Sequence, residues 1–144
     1  MVAGRALDAL VAEMVMGRKW MTYIHQAYLL TPEVVPEICY RGSSWTEGKT
    51  AAWDSECRIL SDLTGQRVPD YSTDMRAAFE VVGKMLEREW WMFDLRSVSP
   101  GEGVVDFCNT INPALTRDSA SRFKTVDEVP AAICNAALKA IVAK

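Results

Sequence analysis

Residue types that commonly act in enzyme active sites are sparse and scattered in this 144-residue chain. It has one histidine, His25, and four cysteines, none in a CxxC pair: Cys39, Cys57, Cys108 and Cys134. Zinc sites need closely spaced thiolate and imidazole ligands, so we expect no metal site, and His25 is interpreted as a structural or surface residue. No Ser/His/Asp set or pair of carboxylates supports catalysis. We therefore expect a protein that is not an enzyme and needs no cofactor.

A phosphate-binding loop is suggested by Gly48-Lys49-Thr50 but is rejected on spacing. The motif needs a first glycine five positions before the second, whereas Gly42 stands six positions before Gly48. No apolar strand precedes the segment either. These residues are therefore read as part of an irregular region.

A basic, hydroxyl-rich segment near the C-terminus is the best candidate for contacting an anion. It reads TRDSASRFK, carries Arg117 and Arg122, and leads into the last predicted helix. Helix N-termini offer free backbone N–H groups to phosphate, and arginine adds charge-assisted hydrogen bonds. Asn109 and Thr110 lie just before this segment, where a predicted strand ends.

Aromatic side chains that could stack on a nucleotide base are also present: Trp20, Trp45, Trp53, Trp90, Trp91, Phe93 and Phe107. On the predicted strands, Trp91, Phe93 and Phe107 fall on apolar faces, where aromatic residues more often belong to the core. Trp90 cannot share the face of Trp91, so one of the two is expected at a surface or an interface. This pair favours a homo-oligomer.

Composition limits the class of protein. The chain is 49% hydrophobic and carries a formal net charge of −3, which suits one domain spanning 1–144 with a substantial core. Its acidity argues against a nucleic-acid polymer as partner, and no apolar run approaches the ~18 residues of a membrane span. Met1–Met16 contains charges and lacks a cleavage-like end, so we expect no signal peptide and a reducing cytosolic location.

The central helix is predicted within Pro69–Trp91, with Ser72 as its N-cap and its end near Glu89. Apolar residues recur there at three- and four-residue spacing: Met75, Ala78, Phe79, Val82, Met85 and Leu86. Lys84 is placed to pair with Glu80 on the solvent side.

Two more helices are predicted, one near each end of the chain. Gly4–Met16 is predicted to be helical and closed by Gly17, with Asp8 facing solvent. The last helix is predicted to begin near Thr125 or Asp127, both suitable caps, and to run to Ile141. Cys134 lies on its apolar face and is expected to be a small buried hydrophobic residue.

Alternation of apolar and polar residues predicts strands at Trp90–Val98 and Val104–Ile111, joined as a hairpin, and Ala114–Phe123 as a third strand. Lys19–Thr31 is compatible with a strand or a short helix. Within the irregular region that follows, Ala52–Leu63 is a candidate helical turn or two and carries Arg58. The predicted fold class is α+β, an antiparallel sheet covered by helices.

Three stretches resemble the phage ABA sandwich domain family: GRALDALVAEMVMG at Gly4–Gly17, VPDYSTDMRAAFEVVGKML at Val68–Leu86, and PAAICNAALKAI at Pro130–Ile141. The resemblance implies an antiparallel β-sheet sandwiched between helices. Asn135 stands where that family usually has arginine, and the span 31–69 looks like an insertion.

Within that family the chain is also similar in organisation to phage anti-Thoeris sponge proteins of the first described type. Those proteins bind and hold a cyclic ADP-ribose isomer made by a bacterial TIR-domain immune enzyme without degrading it, and some also hold cyclic oligonucleotides. The resemblance implies a homo-oligomer, dimer or hexamer, in the cytoplasm of the infected host. Its ligand-binding residues, carried over by position, are Phe93 or Trp91, Asn109, Arg117 and Arg122. Thr110 and Arg58 complete the set of residues expected to bind the ligand.

A second hypothesis is a protein-interaction or accessory domain with no small-molecule ligand. Its basis is the lack of any convergent polar motif in the sequence, which would leave the aromatic surface to dock a partner. An enzyme acting on a nucleotide is the third and least favoured hypothesis, because no catalytic spacing supports it.

Overall fold

The computed structural model describes residues 1–23, 26–33, 45–48, 67–88, 91–109 and 120–142. The elements are α1 (Arg5–Met14), β1 (Lys19–Tyr23), β2 (Gln26–Leu30), β3 (Trp45–Glu47), α2 (Met75–Leu86), β4 (Trp91–Ser99), β5 (Glu102–Asn109), β6 (Ser121–Phe123), a 3-10 turn (Val126–Glu128) and α3 (Val129–Val142). The predictions made for His25, Arg58, Thr110 and Arg117 fall outside the described residues, as do Lys49 and Thr50.

The described strands form two antiparallel sheets, one ordered β2-β1-β3 and the other β4-β5-β6. The α+β class and the β4–β5 hairpin are confirmed, and Ser121–Phe123 supplies the third strand. The segment left open between strand and helix forms the β1–β2 hairpin, with Trp20 opposite Leu29. The strands thus divide between two small sheets, where the sequence predicted one.

Helix α3 lies at the centre of the packing and contacts α1, α2, β5 and β6. Because it has neighbours on several sides, its small side chains are buried all round: Ala132, Ala136, Ala137 and Ala140. Alanine allows helices to approach closely, which a wider side chain at these positions would prevent. Helix α2 contacts β4, and α1 contacts β2.

The predicted N-cap of α2 is wrong, and the reason is a long-range contact. Asp74 caps the helix by accepting from the backbone N–H of Arg76 at 3.3 Å. Ser72 is buried instead, and its Oγ accepts from the backbone N–H of Gly4 at 2.9 Å. The first turn of α1 therefore takes the hydroxyl that the local sequence offers to α2.

The predicted apolar face of α2 is correct at its centre and wrong at its edges. Ala78, Val82 and Met85 are buried, whereas Phe79 and Leu86 remain about half exposed. The helix ends at Leu86 rather than near Glu89. Lys84 forms an ion pair with Glu87 at 3.4 Å.

Asp8 is buried, which contradicts its predicted solvent position. Its Oδ1 accepts from the backbone N–H of Ser72 at 2.7 Å, and its Oδ2 pairs with Arg5 at 3.1 Å. Arg5 also donates to Asp70 at 2.9 Å. The charge is inside because it satisfies a buried backbone donor and an arginine together. Gly17 closes α1 in the left-handed conformation, φ 78°, as predicted.

Cys134 is fully buried on α3, which confirms its interpretation as a small core residue. Burial, reinforced by the negative charge of Asp8, raises the pKa of the Cys134 thiol from its ordinary 9.0 to about 12. The folded protein therefore keeps this proton over a pH range in which the unfolded chain releases it.

The contribution of Cys134 to the free energy of unfolding should therefore be fully present below about pH 9 and should decline above it. We expect Cys134 to account for a loss of about 1.4 kcal/mol between about pH 8 and about pH 10. The measurement is urea unfolding at both pH values for the wild type and for Cys134→Ala. The variant should lose less stability over this interval; an equal loss in both proteins would contradict the assignment.

Candidate functional site

The candidate ligand residues that the structure describes lie mainly at one end of the β4–β5 hairpin. Trp91 and Asn109 are Cα partners on the last rung of this ladder. Two residues further in, Phe93 is the partner of Phe107. An aromatic residue and an asparagine from different strands thus share one end of the sheet.

Phe93 is held within an aromatic cluster. Its ring meets that of Phe79 edge-on, with centroids 6.3 Å apart, and meets that of Phe107 at 5.3 Å. Phe107 is fully buried and Phe93 is partly buried. This packing fixes the orientation of Phe93, and it gives the ring a structural role whether or not a ligand binds nearby.

Arg122 lies apart from this end of the sheet. It sits on β6 opposite Val104, and Asn109 is five residues further along β5. At ~3.4 Å per residue the two positions are about 17 Å apart along the strand. Arg122 also falls on the opposite face from Phe93 and Phe107, since side chains alternate along a strand. The candidate residues that the structure describes are thus not all gathered around one point.

Arg122 instead borders a cleft of about 370 Å³ at the start of α3. The cleft is lined by residues of the N-terminal segment, the α2 approach, β6 and α3: Met1, Val2, Ala3, Ser72, Thr73, Ser121, Arg122, Asp127, Glu128, Ala131, Ala132 and Asn135. The hydroxyls of Thr73 and Ser121 and the guanidinium of Arg122 line this space together with two carboxylates, whereas the Ser72 hydroxyl is engaged by the backbone of Gly4. Glu128 is engaged with its own chain, because its carboxylate accepts from the backbone N–H of Lys124 at 2.9 Å.

Asn135 closes one side of this cleft. Its Oδ1 accepts from the amino group of Met1 at 2.8 Å, and its Nδ2 donates to the Met1 carbonyl at 2.9 Å. A third hydrogen bond runs from Nδ2 to the Ala131 carbonyl at 3.0 Å. At this position the amide organises the N-terminal segment over the cleft.

A second cleft, of about 400 Å³, is mainly apolar. Leu95, Phe123 and Val129 supply much of its wall, and Arg96 and Glu102 are its charged members. It adjoins strand β4, where Met92, Leu95 and Val98 are among the most exposed apolar side chains of the described residues. It offers few polar groups to fix a ligand in one orientation.

Sequence reasoning missed Ser72, Thr73 and Asn135 as cleft residues. All three stand in the stretches that carry the family resemblance, Ser72 and Thr73 in the YSTD run and Asn135 at the position that departs from arginine. The signal was therefore present, but only the folded chain brings these stretches together.

The residues that the structure describes include no group of three or more potential metal ligands. Among the same residues, no helix has both the length and the hydropathy that crossing a membrane requires.

A family model for the phage ABA sandwich domain matches residues 9–138. The chain belongs to the phage ABA sandwich domain family. The described helices packed on small antiparallel sheets are the arrangement expected for this domain. Searches of curated proteins and of solved structures found no significant match.

Proposed function

We propose that this phage ABA sandwich domain is an anti-defence sponge. It binds a cyclic nucleotide immune signal, a cyclic ADP-ribose isomer or a cyclic oligonucleotide, in the cytoplasm of the infected host and holds it intact. It works by stoichiometric binding rather than by turnover.

The observation that carries the proposal is the cleft beside Arg122. Its volume of about 370 Å³ lies within the range of small-molecule sites, ~300–1,000 Å³. Arg122 offers charge-assisted hydrogen bonds to a phosphate, and Thr73 and Ser121 line the same space with hydroxyls. The start of α3 adds a favourable dipole for an anion.

Retention without reaction fits the side chains at the cleft. Arginine keeps its proton at all physiological pH values and is therefore a poor acid or base. Serine and threonine need a neighbouring general base to act as nucleophiles. The described residues that line the cleft include no histidine, and one of their two carboxylates, that of Glu128, already accepts from the backbone N–H of Lys124. The lining is thus suited to binding and orienting a ligand.

Replacing Arg122 by alanine should weaken ligand binding by about tenfold or more, because a hydrogen bond to a charged group contributes about 1.5–3 kcal/mol. Equilibrium dialysis with cyclic ADP-ribose isomers and cyclic tri-adenylate measures the change. Arg76→Ala is the matched control, since Arg76 is also exposed but lies outside the cleft lining. Equal affinity of the Arg122 variant and the wild type would exclude this cleft as the site.

A protein-interaction domain is the alternative function. The exposed apolar residues on α2 and β4 favour it, because large side chains such as Phe79 and Met92 gain little from contact with water. Recovery of a phage or host protein from infected cells, together with no retained nucleotide, would support this alternative over the sponge.

A further inference from the structure

We propose that the cleft beside Arg122 recognises the ribose and the phosphate of its nucleotide ligand, and that Asp127 is the residue that binds the ribose hydroxyls. The inference rests on the proposed function, because it assigns a second contact within the same cleft. Arg122 and Asp127 both line this space of about 370 Å³. Specificity for ribose over deoxyribose would then come from Asp127.

Arg122 and Asp127 carry opposite charges but do not pair with each other. Both residues are exposed, and within the described part of the chain neither side chain takes part in an ion pair or a hydrogen bond. Two opposite charges that line one cleft without meeting leave room for a ligand between them. Such a ligand must offer an acceptor to the guanidinium and a donor to the carboxylate.

The other polar groups beside Asp127 are already engaged. The carboxylate of Glu128 accepts from the backbone N–H of Lys124 at 2.9 Å, which ties it to its own chain. The amide of Asn135 makes three hydrogen bonds, to the amino group and carbonyl of Met1 and to a backbone carbonyl of its own helix. Of the two carboxylates that line the cleft, that of Asp127 therefore has both oxygens open to a ligand.

The charges of the lining side chains argue against a bare phosphate as the ligand. One guanidinium and two carboxylates line the cleft, so an anion alone would be attracted by one group and repelled by two. A ribose phosphate suits this mixture better, because its hydroxyls donate to a carboxylate while its phosphate accepts from the arginine. Acidic side chains bind ribose hydroxyls in this way in dinucleotide-binding domains.

The cleft is not suited to reading the base. The described residues that line it include no aromatic side chain on which a base could stack. Phe93 and Phe107 lie on the opposite face of the sheet from Arg122. In a nucleotide the sugar is bonded to the phosphate and the base lies beyond the sugar. Two opposite charges within one small cleft therefore match the phosphate and the sugar, which are adjacent.

Equilibrium dialysis of the full chain with ribose and deoxyribose ligands tests this assignment. The probes are cyclic tri-adenylate with cyclic tri-deoxyadenylate, and a cyclic ADP-ribose isomer with its analogue that lacks one free ribose hydroxyl. The wild type should bind the ribose form about tenfold more tightly, because the deoxy form removes a hydrogen bond to a charged group.

Asp127→Ala should abolish this preference. Its affinity for the ribose form should fall by about tenfold. Its affinity for the deoxy form should stay the same or rise, because a negative charge near the phosphate is removed. Glu80→Ala is the matched control, since Glu80 is also an exposed carboxylate but lies outside the cleft lining, and it should keep the preference of the wild type.

The outcomes separate this inference from the proposed function. A wild type that binds both forms equally, or an Asp127→Ala protein that keeps the ribose preference, would overturn the role of Asp127 and leave the sponge function intact. A wild type that retains none of the ribose ligands would overturn the sponge function and this inference with it.

Discussion

Replacing Asp8 by alanine is expected to destabilise the fold by about 3 kcal/mol. The buried backbone N–H of Ser72 would lose its acceptor, which now lies at 2.7 Å. Arg5, which pairs with Asp8 at 3.1 Å and with Asp70 at 2.9 Å, would lose the first of these carboxylates. Removing one member of a buried charge network destabilises the fold by more than the intact network stabilises it, because the remaining partners stay desolvated.

Urea unfolding of Asp8→Ala measures this loss as a lower transition midpoint. Glu87→Ala is the control, since it removes a carboxylate from the exposed Lys84–Glu87 pair, 3.4 Å apart. Such surface pairs contribute less than about 1 kcal/mol. If Asp8→Ala costs no more than the control, the Asp8 network does not hold α1 to the segment before α2.

Gly103→Ala is expected to cost about 2–3 kcal/mol, at the upper end of the range for overpacked sites. A Cβ at position 103 would lie 2.5 Å from Cζ of Phe123 and would also collide with the backbone carbonyl of Arg96. The ring of Phe123 covers this glycine across the β5–β6 pair. The carbonyl cannot move aside as a side chain can, so the sheet itself would have to shift.

Gly83→Ala is expected to have the opposite effect on stability. A Cβ at this position in α2 would meet nothing within 4 Å. The substitution should stabilise the helix by up to about 1 kcal/mol, because alanine loses less conformational freedom than glycine on folding. Thermal unfolding of both variants should therefore shift in opposite directions. A destabilised Gly83→Ala, or an unaffected Gly103→Ala, would contradict this packing.

The sequence was most informative where a local pattern determines the structure. Alternation in β4 and β5 predicts the hairpin, and the turn at Pro100–Gly101 is short enough to bring Trp91 opposite Asn109. It was least informative where a distant segment decides. Ser72 and Asp74 are both good caps, and only the contact of Ser72 with Gly4 assigns the cap to Asp74.

In the candidate site, too, some features follow from the local sequence and others depend on distant contacts. The basic, hydroxyl-rich surroundings of Arg122 make it a candidate, but its separation from Asn109 depends on the register of β6, which a three-residue strand does not encode. Thr73 and Asn135 join the cleft only through the packing of α3 beside the start of α2. Residue type thus indicated the chemistry, while tertiary contacts decided which residues share one space.

The most direct test of the account is a release experiment on the purified full chain. The protein is mixed with cyclic ADP-ribose isomers and with cyclic tri-adenylate, bound and free ligand are separated, and the protein is then heat-denatured. The sponge function predicts that one ligand disappears from solution at equimolar ratio and is recovered chemically intact only after denaturation. Retention of none of them, or recovery of an altered product, would contradict it.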